Sequence, residues 1–406
     1  MKPAFDFDTP IDRRDSDSHK WQKYKGKDVI PMWVADMDFA SPPAVIQALH
    51  QRVDHAIFGY AEPHPRLKEL VVEHLRRRHQ WEISPEWIVW LPGLVTGLNV
   101  ACRSVGRTGA GVLTTPPIYP PFFTAPRLAG KRLQKCPLTF SGSRWELDLE
   151  GLRRAAEDGT ALFLLCNPHN PTGRVFTRDE LEALAELCLR ANLTICSDEI
   201  HGDLVLEPGC RHLPMAALSP EVARRTITLL APSKSFNLPG LGCAYAVISD
   251  PKLRRRFLRA MAGIVPHINI FGFAAAQAAY EHGNPWLAAL LDYLRGNRQM
   301  VYQAIGQMEG LQMGPVEATY LAWIDARQGH FEDPTRFFEQ NGVGLSDGAH
   351  FGAPGFLRLN FGCPRSLLAT ALERMANAVR ARPPAKAQRE GSTETLLTTP
   401  EKYLKK

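Results

Sequence analysis

From residue 45 to about residue 285, short apolar runs alternate with segments of helical spacing. Val112-Leu113-Thr114-Thr115 predicts a strand, and a Pro-rich loop follows it. Ala161 to Leu165, Leu193 to Cys196 and Thr226 to Leu230 predict three more. These runs are apolar at successive positions, not at every second one. That pattern belongs to strands covered on both faces, as in a parallel sheet between helices. Thr177 to Ala191 has apolar residues at helical spacing, and Thr177 with Glu180 three residues on makes a capping box. Ser41-Pro42-Pro43 breaks the chain before a helical pattern from Ala44 to Leu49.

The pattern changes after Asn284-Pro285-Trp286. A long helical stretch runs to about Glu309, strand-like Tyr320 to Ile324 follows, and a Gly-rich region spans Gly342 to Gly362. A last helix runs from about Arg365 to Val379. The expected fold class is α/β. A large body, residues 45–285, carries a mostly parallel sheet between helices. Residues 1–44 and 286–381 form a smaller α+β body. Residues 382–406 are poor in apolar side chains and are expected to be disordered.

Composition narrows the setting. Apolar content of 45% and charge of 22% are ordinary for a globular chain. No apolar run is long enough to cross a membrane. The first residues, MKPAFDFDTPIDRRD, carry acids where a signal peptide needs an apolar core, so a cytoplasmic protein with no membrane partner is expected. The net charge is +6, and about half of it sits in the tail, where six Lys or Arg face three Glu. No basic stripe with interleaved aromatics appears elsewhere, so no nucleic-acid partner is expected. The eight cysteines are scattered without a Cys-x-x-Cys pair, several of them inside apolar runs. They are expected to be buried reduced thiols, not disulfides or metal ligands.

The chemistry gathers at the strand ends. In open parallel sheets, ligands bind beyond the carboxyl ends of the strands. Pro116-Pro117-Ile118-Tyr119 follows the first predicted strand and Asn167-Pro168-His169-Asn170-Pro171-Thr172-Gly173 the second. Ser197-Asp198-Glu199-Ile200-His201 follows the third and Ser233-Lys234 the fourth. Taken singly, each has a plainer explanation: a lysine snorkels at a sheet edge, an aspartate caps a helix, prolines make turns, a tyrosine packs. Together they supply an aromatic face, an amide, a carboxylate and a lysine. Pyridoxal phosphate (PLP) needs that set: a lysine for a Schiff base, an acid at the pyridine nitrogen, donors at the phenolic oxygen, and a ring to stack on. A lysine in an apolar pocket loses proton affinity and becomes a nucleophile and a base.

NPHNPTG, SDEIH and SKSFNLPG together resemble fold-type I PLP enzymes of the class I/II aminotransferase superfamily. FDFDTPIDRRDSDSHKW, PMWVADMDFASPP, the FGY at 58–60 and GFLRLNFGCPR at 355–365 are similar to the MalY/PatB-type cystathionine β-lyases, also called C-S lyases. The likeness runs from about Phe5 to Val379. It implies a large domain with a sheet of the seven-stranded type, a smaller α+β domain, a PLP cofactor and an amino acid substrate. It implies cleavage of cystathionine or a related cysteine S-conjugate to a thiol, pyruvate and ammonia. The alternatives on the same scaffold are transamination and a specialised biosynthetic C-S lyase, with a regulatory binding protein as a third.

The resemblance also assigns residues. Lys234 matches the Schiff-base lysine, Asp198 the acid at the pyridine nitrogen, and Asn170 the amide at the phenolic oxygen. His201 stands where aminotransferases usually carry a tyrosine, and is either a cofactor contact or one layer behind it. Tyr119 matches the stacking aromatic that assists proton transfer. Val95 and Thr96, opening a helix after Pro92-Gly93, and the Ser233 hydroxyl are expected to hold phosphate. Tyr60 matches a tyrosine that reaches the neighbouring subunit's phosphate, which implies a homodimer with a shared site. Arg358 matches the grip on the substrate α-carboxylate, and Ala35 lies over the substrate. One departure stands out: many aminotransferases carry a phosphate-binding arginine eight residues after the lysine, and here that place is Gly242.

Overall fold

A computed structural model describes residues 5–142, 144–156 and 159–382 of the chain. Seven strands build the large sheet: β1 (Ile88–Leu91), β2 (Gly111–Thr114), β3 (Arg132–Lys135), β4 (Thr160–Cys166), β5 (Thr194–Asp198), β6 (Thr226–Leu230) and β7 (Ala244–Val247). Their order across the sheet is β1-β7-β6-β5-β4-β2-β3. β7 runs antiparallel to both of its neighbours, and the remaining pairs are parallel.

The apolar runs are explained by burial on both faces. In β4, Leu162, Leu164 and Cys166 pack with Val112, Ile227 and Leu229 against helices Leu94–Ser104 and Pro251–Met261. Phe163 and Leu165 turn the other way and meet Leu113, Ile195 and the Leu181, Leu184 and Cys188 stripe of helix Arg178–Arg190. That helix starts as its sequence requires: Glu180 N donates to Thr177 Oγ1 at 3.2 Å, and Thr177 N donates to Glu180 Oε2 at 2.7 Å. The four strands expected from the sequence form, each within about two residues of its expected bounds. β1, β3 and β7 were not expected. β3 is an edge strand whose ends, Arg132 and Lys135, are exposed, so it lacks an apolar signature.

The second sheet is antiparallel and four-stranded, in the order Gln312–Met313, Leu321–Asp325, Phe356–Asn360, Ser346–Asp347. Helices Asn284–Gly306 and Arg365–Ala381 pack with it in one core that also takes in Ile88, Leu230 and Tyr245 of the large sheet. The N-terminal segment is stitched onto this body. Ile30–Pro31 pairs in parallel with Val343–Gly344, and the Asn360 amide donates to Val34 O at 2.6 Å and Asp36 O at 2.7 Å.

All eight cysteines are free, and seven of them are buried. Among the described residues no helix is long and apolar enough to cross a membrane. The tail expected to be disordered lies outside the described residues except for Arg382, whose guanidinium sits 4.3 Å from the centre of the Phe331 ring.

Candidate active site

Parallel register brings the strand ends level. Cys166 of β4 pairs with Asp198 of β5, and Asp198 with Leu229 of β6. The loops leaving these ends close around a cavity of about 340 Å³. Asn170, Asp198, His201, Ser233, Lys234 and Tyr119 line it, with Val95 at the start of helix Leu94–Ser104. Because β7 is antiparallel, its beginning arrives at the same edge, so Gly242 also lies in the wall. Val34, Ala35, Asp36 and Arg358 face these loops from the second body. Of the residues singled out from the sequence, Thr96 and Tyr60 are not in the wall. Tyr60 is fully exposed on the protein surface.

Lys234 sits on the helical turn Pro232–Ser235 directly after β6. The turn is locked to the N-terminal segment by Asn237. Its amide donates to Met37 O at 3.0 Å and Phe39 O at 2.8 Å, and accepts from Met37 N at 3.0 Å. Lys234 Nζ donates to the Ala35 carbonyl at 2.5 Å. The same carbonyl accepts from Tyr320 Oη at 2.9 Å. Tyr320 was missed in the sequence, where it reads as the first residue of an apolar strand.

Arg358 is buried and already oriented. Its guanidinium donates to Asn170 Oδ1 at 2.9 Å and Trp33 O at 2.8 Å, and lies over Phe351 at 4.7 Å. The bond to Asn170 decides how that amide points. With Oδ1 taken by Arg358, the Nδ2 donor is the end left for another ligand.

Burial dominates the electrostatics. It pushes the Asp198 carboxyl up to about 7, a rise the Ile200 N–H bond and Lys234 only partly offset. It pulls the Lys234 amine down to about 8, with Asp36 acting in the opposite direction and Arg358 in the same one. It pulls His201 down to about 3, helped by Lys234 and Arg358, so the imidazole is neutral. Burial also lowers Arg358, to about 10. A cavity with an acid near 7 and an amine near 8 is arranged for proton transfer near neutral pH.

The residues fit PLP at the ring end. Two buried nitrogens, His201 Nδ1 and Arg358 Nε, have no protein partner, and the amine, carboxyl and amide required by the cofactor share one wall. The phosphate end is built differently from the common pattern. Gly242 has φ +59°, and a Cβ there would come within 3.2 Å of Pro92 O. An arginine is therefore strained at this place. The helix N-terminus at Leu94 and Val95 and the Ser233 hydroxyl line the cavity as groups that could hold a phosphate. Among the described residues lining the cavity, Lys234 and Arg358 are the only Lys or Arg.

Behind the Lys234 turn lies a second buried polar cluster. Asp203 Oδ1 accepts from His74 Nε2 at 3.0 Å and His79 Nε2 at 3.1 Å, and Oδ2 accepts from Ser235 Oγ at 2.7 Å. A carboxylate only accepts, so both imidazoles must donate. Arg78 stands 3.8 Å from Oδ1. His74, His79 and Asp203 have the residue types of a metal site, but the imidazole Nε2 atoms and the carboxylate are already bonded to one another beside a cation. The cluster is a closed junction holding helix Pro65–His79 to the lysine turn.

Known proteins agree with this geometry. The family described as aminotransferase class I and II matches residues 27–375. The cystathionine β-lyase PatB of Bacillus subtilis is 36% identical, over 92% of this chain and 99% of that protein. A crystal structure of OvoB is 48% identical with a TM-score of 0.91, covering 93% of this chain and all of that one. Cystalysin of Treponema denticola, solved with its pyridoxal 5′-phosphate cofactor, is 31% identical with a TM-score of 0.89, covering 93% of this chain and 99% of that one. With its sheet, its cavity and these likenesses taken together, the chain belongs to the class I and II aminotransferase family, in its PLP-dependent carbon-sulfur lyase branch.

Proposed function

We propose that this protein is a C-S β-lyase that cleaves cystathionine or a related L-cysteine S-conjugate to a thiol, pyruvate and ammonia. One observation carries the reading. The Lys234 amine, the Asp198 carboxyl and the coupled Asn170–Arg358 pair converge on a single cavity, in a chain 36% identical to a named cystathionine β-lyase. The cofactor, when bound, supplies an electron sink for negative charge at the substrate Cα.

The chain supplies the rest. Lys234 would hold the cofactor covalently, and its amine, when free, is placed to take the proton from the substrate Cα. Asp198 keeps a proton at the pyridine nitrogen. Its burial leaves the carboxyl close to neutral pH, so an ion pair with that nitrogen is strongly favoured over lone ionisation. Arg358 grips the α-carboxylate with two parallel N–H bonds. Asn170 orients Arg358 through Oδ1 and donates to the phenolic oxygen through Nδ2, which ties substrate alignment to cofactor alignment. Tyr119 would supply the aromatic face for the cofactor ring. Burial raises its hydroxyl pKa, so it acts as a proton donor. Neutral His201 lines the same cavity, edge-on to Tyr320 at 6.1 Å.

We assign cofactor binding to residues 45–285 and the covering body to residues 1–44 and 286–381. The cavity supports this division, with its loops from one part and Arg358 and Ala35 from the other. We further propose a homodimer with a shared site in the cytoplasm. Ile46, Val53, Ile57, Phe58 and Tyr60 are exposed on helix Pro43–Asp54 and the loop after it, a contiguous stretch of apolar side chains suited to a second copy. Tyr60 of each copy, with its hydroxyl, completes a phosphate cup that lacks an arginine at Gly242.

The test mixes protein, PLP and L-cystathionine without any 2-oxo acid and follows pyruvate and thiol together. Equal catalytic release of both is expected. A cofactor absorbance change without pyruvate overturns the lyase reading and favours transamination. Repeating the test with other L-cysteine S-conjugates separates the leaving groups accepted.

A further inference from the structure

The Ala35 carbonyl is where Lys234 rests, and the next side chain is a carboxylate. Asp36 lines the same cavity. Its Oδ2 pairs with Arg13 at 2.9 Å, while its Oδ1 is buried without a hydrogen-bond partner. Lys20 Nζ is 3.9 Å from that oxygen but is held at 2.6 Å by Asp38. Asp38 takes Arg13 as well, at 2.6 Å. Arg13 and Lys20 are thus shared between Asp38 and Asp36, with the shorter contacts to Asp38, and Asp36 keeps one buried oxygen without a hydrogen bond. The other groups around the amine are Asp198, Arg358, neutral His201 and the Tyr320 hydroxyl. Two of these are cations or donors that oppose an ammonium, so a second carboxylate is needed to balance them.

We propose that Asp36 is the counter-charge of the released Lys234: a positioning residue that holds the protonated amine at the Ala35 carbonyl after the lysine has taken up the substrate proton. This rests on the reading of Lys234 as the general base. A base that takes a proton in a low-dielectric cavity must keep it there, and a carboxylate within a few ångströms favours the charged form. Among the charges acting on the amine, Asp36 is the largest that raises its proton affinity. Asp36 touches neither the lysine through a hydrogen bond nor the reacting atoms. It acts through charge and through the carbonyl of its neighbour.

The test uses the full chain stripped of cofactor, so it does not depend on which reaction the enzyme performs. Trace acetic anhydride labels amines at a series of pH values, and mass spectrometry of the Lys234 peptide gives the midpoint of its ionisation. In Asp36→Asn the midpoint moves down by about one unit, roughly fivefold more free amine at pH 7. Arg13→Gln loosens the same segment but leaves Asp36 with its full charge, so there the midpoint moves up. Opposite signs in the two variants uphold the proposal. Movement in the same direction, or no movement in Asp36→Asn, overturns it. If Asp36→Asn does not fold, a rise in Arg13→Gln upholds it and no rise overturns it. Failure of the lyase reading looks different: no pyruvate from the parent, with these shifts intact.

Discussion

Two buried polar clusters flank the turn that carries Lys234, and they are built to opposite ends. On one side Asp203, His74, His79 and Ser235 close on one another: both carboxylate oxygens, both imidazole Nε2 atoms and the Ser235 hydroxyl have partners. On the other side the cavity leaves Asp36 Oδ1, His201 Nδ1 and Arg358 Nε without partners. The charge states follow. The donors hold Asp203 well below the usual carboxylate range despite burial, whereas burial pushes Asp198, with one backbone N–H, up to about 7. A satisfied buried cluster stabilises the fold. An unsatisfied one destabilises the empty protein and is compensated only when a ligand brings the missing groups. The difference between scaffold and site is therefore readable in unmade hydrogen bonds, not in residue type, since both clusters contain Asp and His.

The comparison breaks most sharply at Lys234. Lys234→Ala removes the covalent anchor and the base together, and pyruvate release from L-cystathionine is expected to fall by about 10⁴-fold or more. The purified variant should unfold at the same temperature as the cofactor-free parent or higher, because a desolvated amine is gone. A variant still releasing pyruvate at the parent rate would sink the mechanism.

Next comes the pair of aspartates. Asp203→Asn breaks a closed buried network and is expected to lower stability by about 3 kcal/mol, seen as a lower denaturant midpoint. Asp198→Asn abolishes turnover yet should stabilise the cofactor-free protein above neutral pH. The signs differ because the shifts differ. Asp198 has a folded value near 7 against about 4 unfolded. The folded chain therefore holds a proton that the unfolded chain has lost, and stability falls as pH rises between those values. That limb should flatten in Asp198→Asn. Asp203 is shifted downward, so its stabilisation is present above the unfolded value and is lost only as pH falls below it. Opposite pH limbs in urea titrations of the two variants would sharpen the contrast, and parallel limbs would remove it.

Arg358→Ala is a smaller effect of a different kind. It should lower kcat/KM by about 100-fold, mainly through KM, since it removes charge-assisted bonds to the substrate carboxylate and frees Asn170 to turn. An unchanged KM would move the carboxylate grip elsewhere. The smallest effect is expected at Tyr60→Phe. Loss of the proposed hydroxyl bond to phosphate across the subunits should weaken cofactor binding by about tenfold, measured by PLP titration, without changing the sedimentation of the protein.

Much of this was legible in the chain. The buried strands gave themselves away by unbroken apolar runs, and the polar cluster at the end of each is local sequence, so Asn170, Asp198, Ser233 and Lys234 could be placed before any coordinates. β3 could not, because an edge strand bonded on one side has no need of apolar residues on both faces. β1 and β7 were missed as well, although they are no shorter than the expected β2. Tyr320 was illegible as part of the site for another reason. Its role is made by a contact across 285 residues of chain, through the Ala35 carbonyl.

The sequence by itself determined which segments are buried strands and which chemistry stands at their ends, because periodicity, capping and short motifs act within a few residues. Tertiary structure alone decided which of those groups are satisfied. Hydrogen-bond partners and desolvation depend on what the fold brings alongside. The same kind of carboxylate is a closed joint at Asp203 and an open, proton-hungry acid at Asp198.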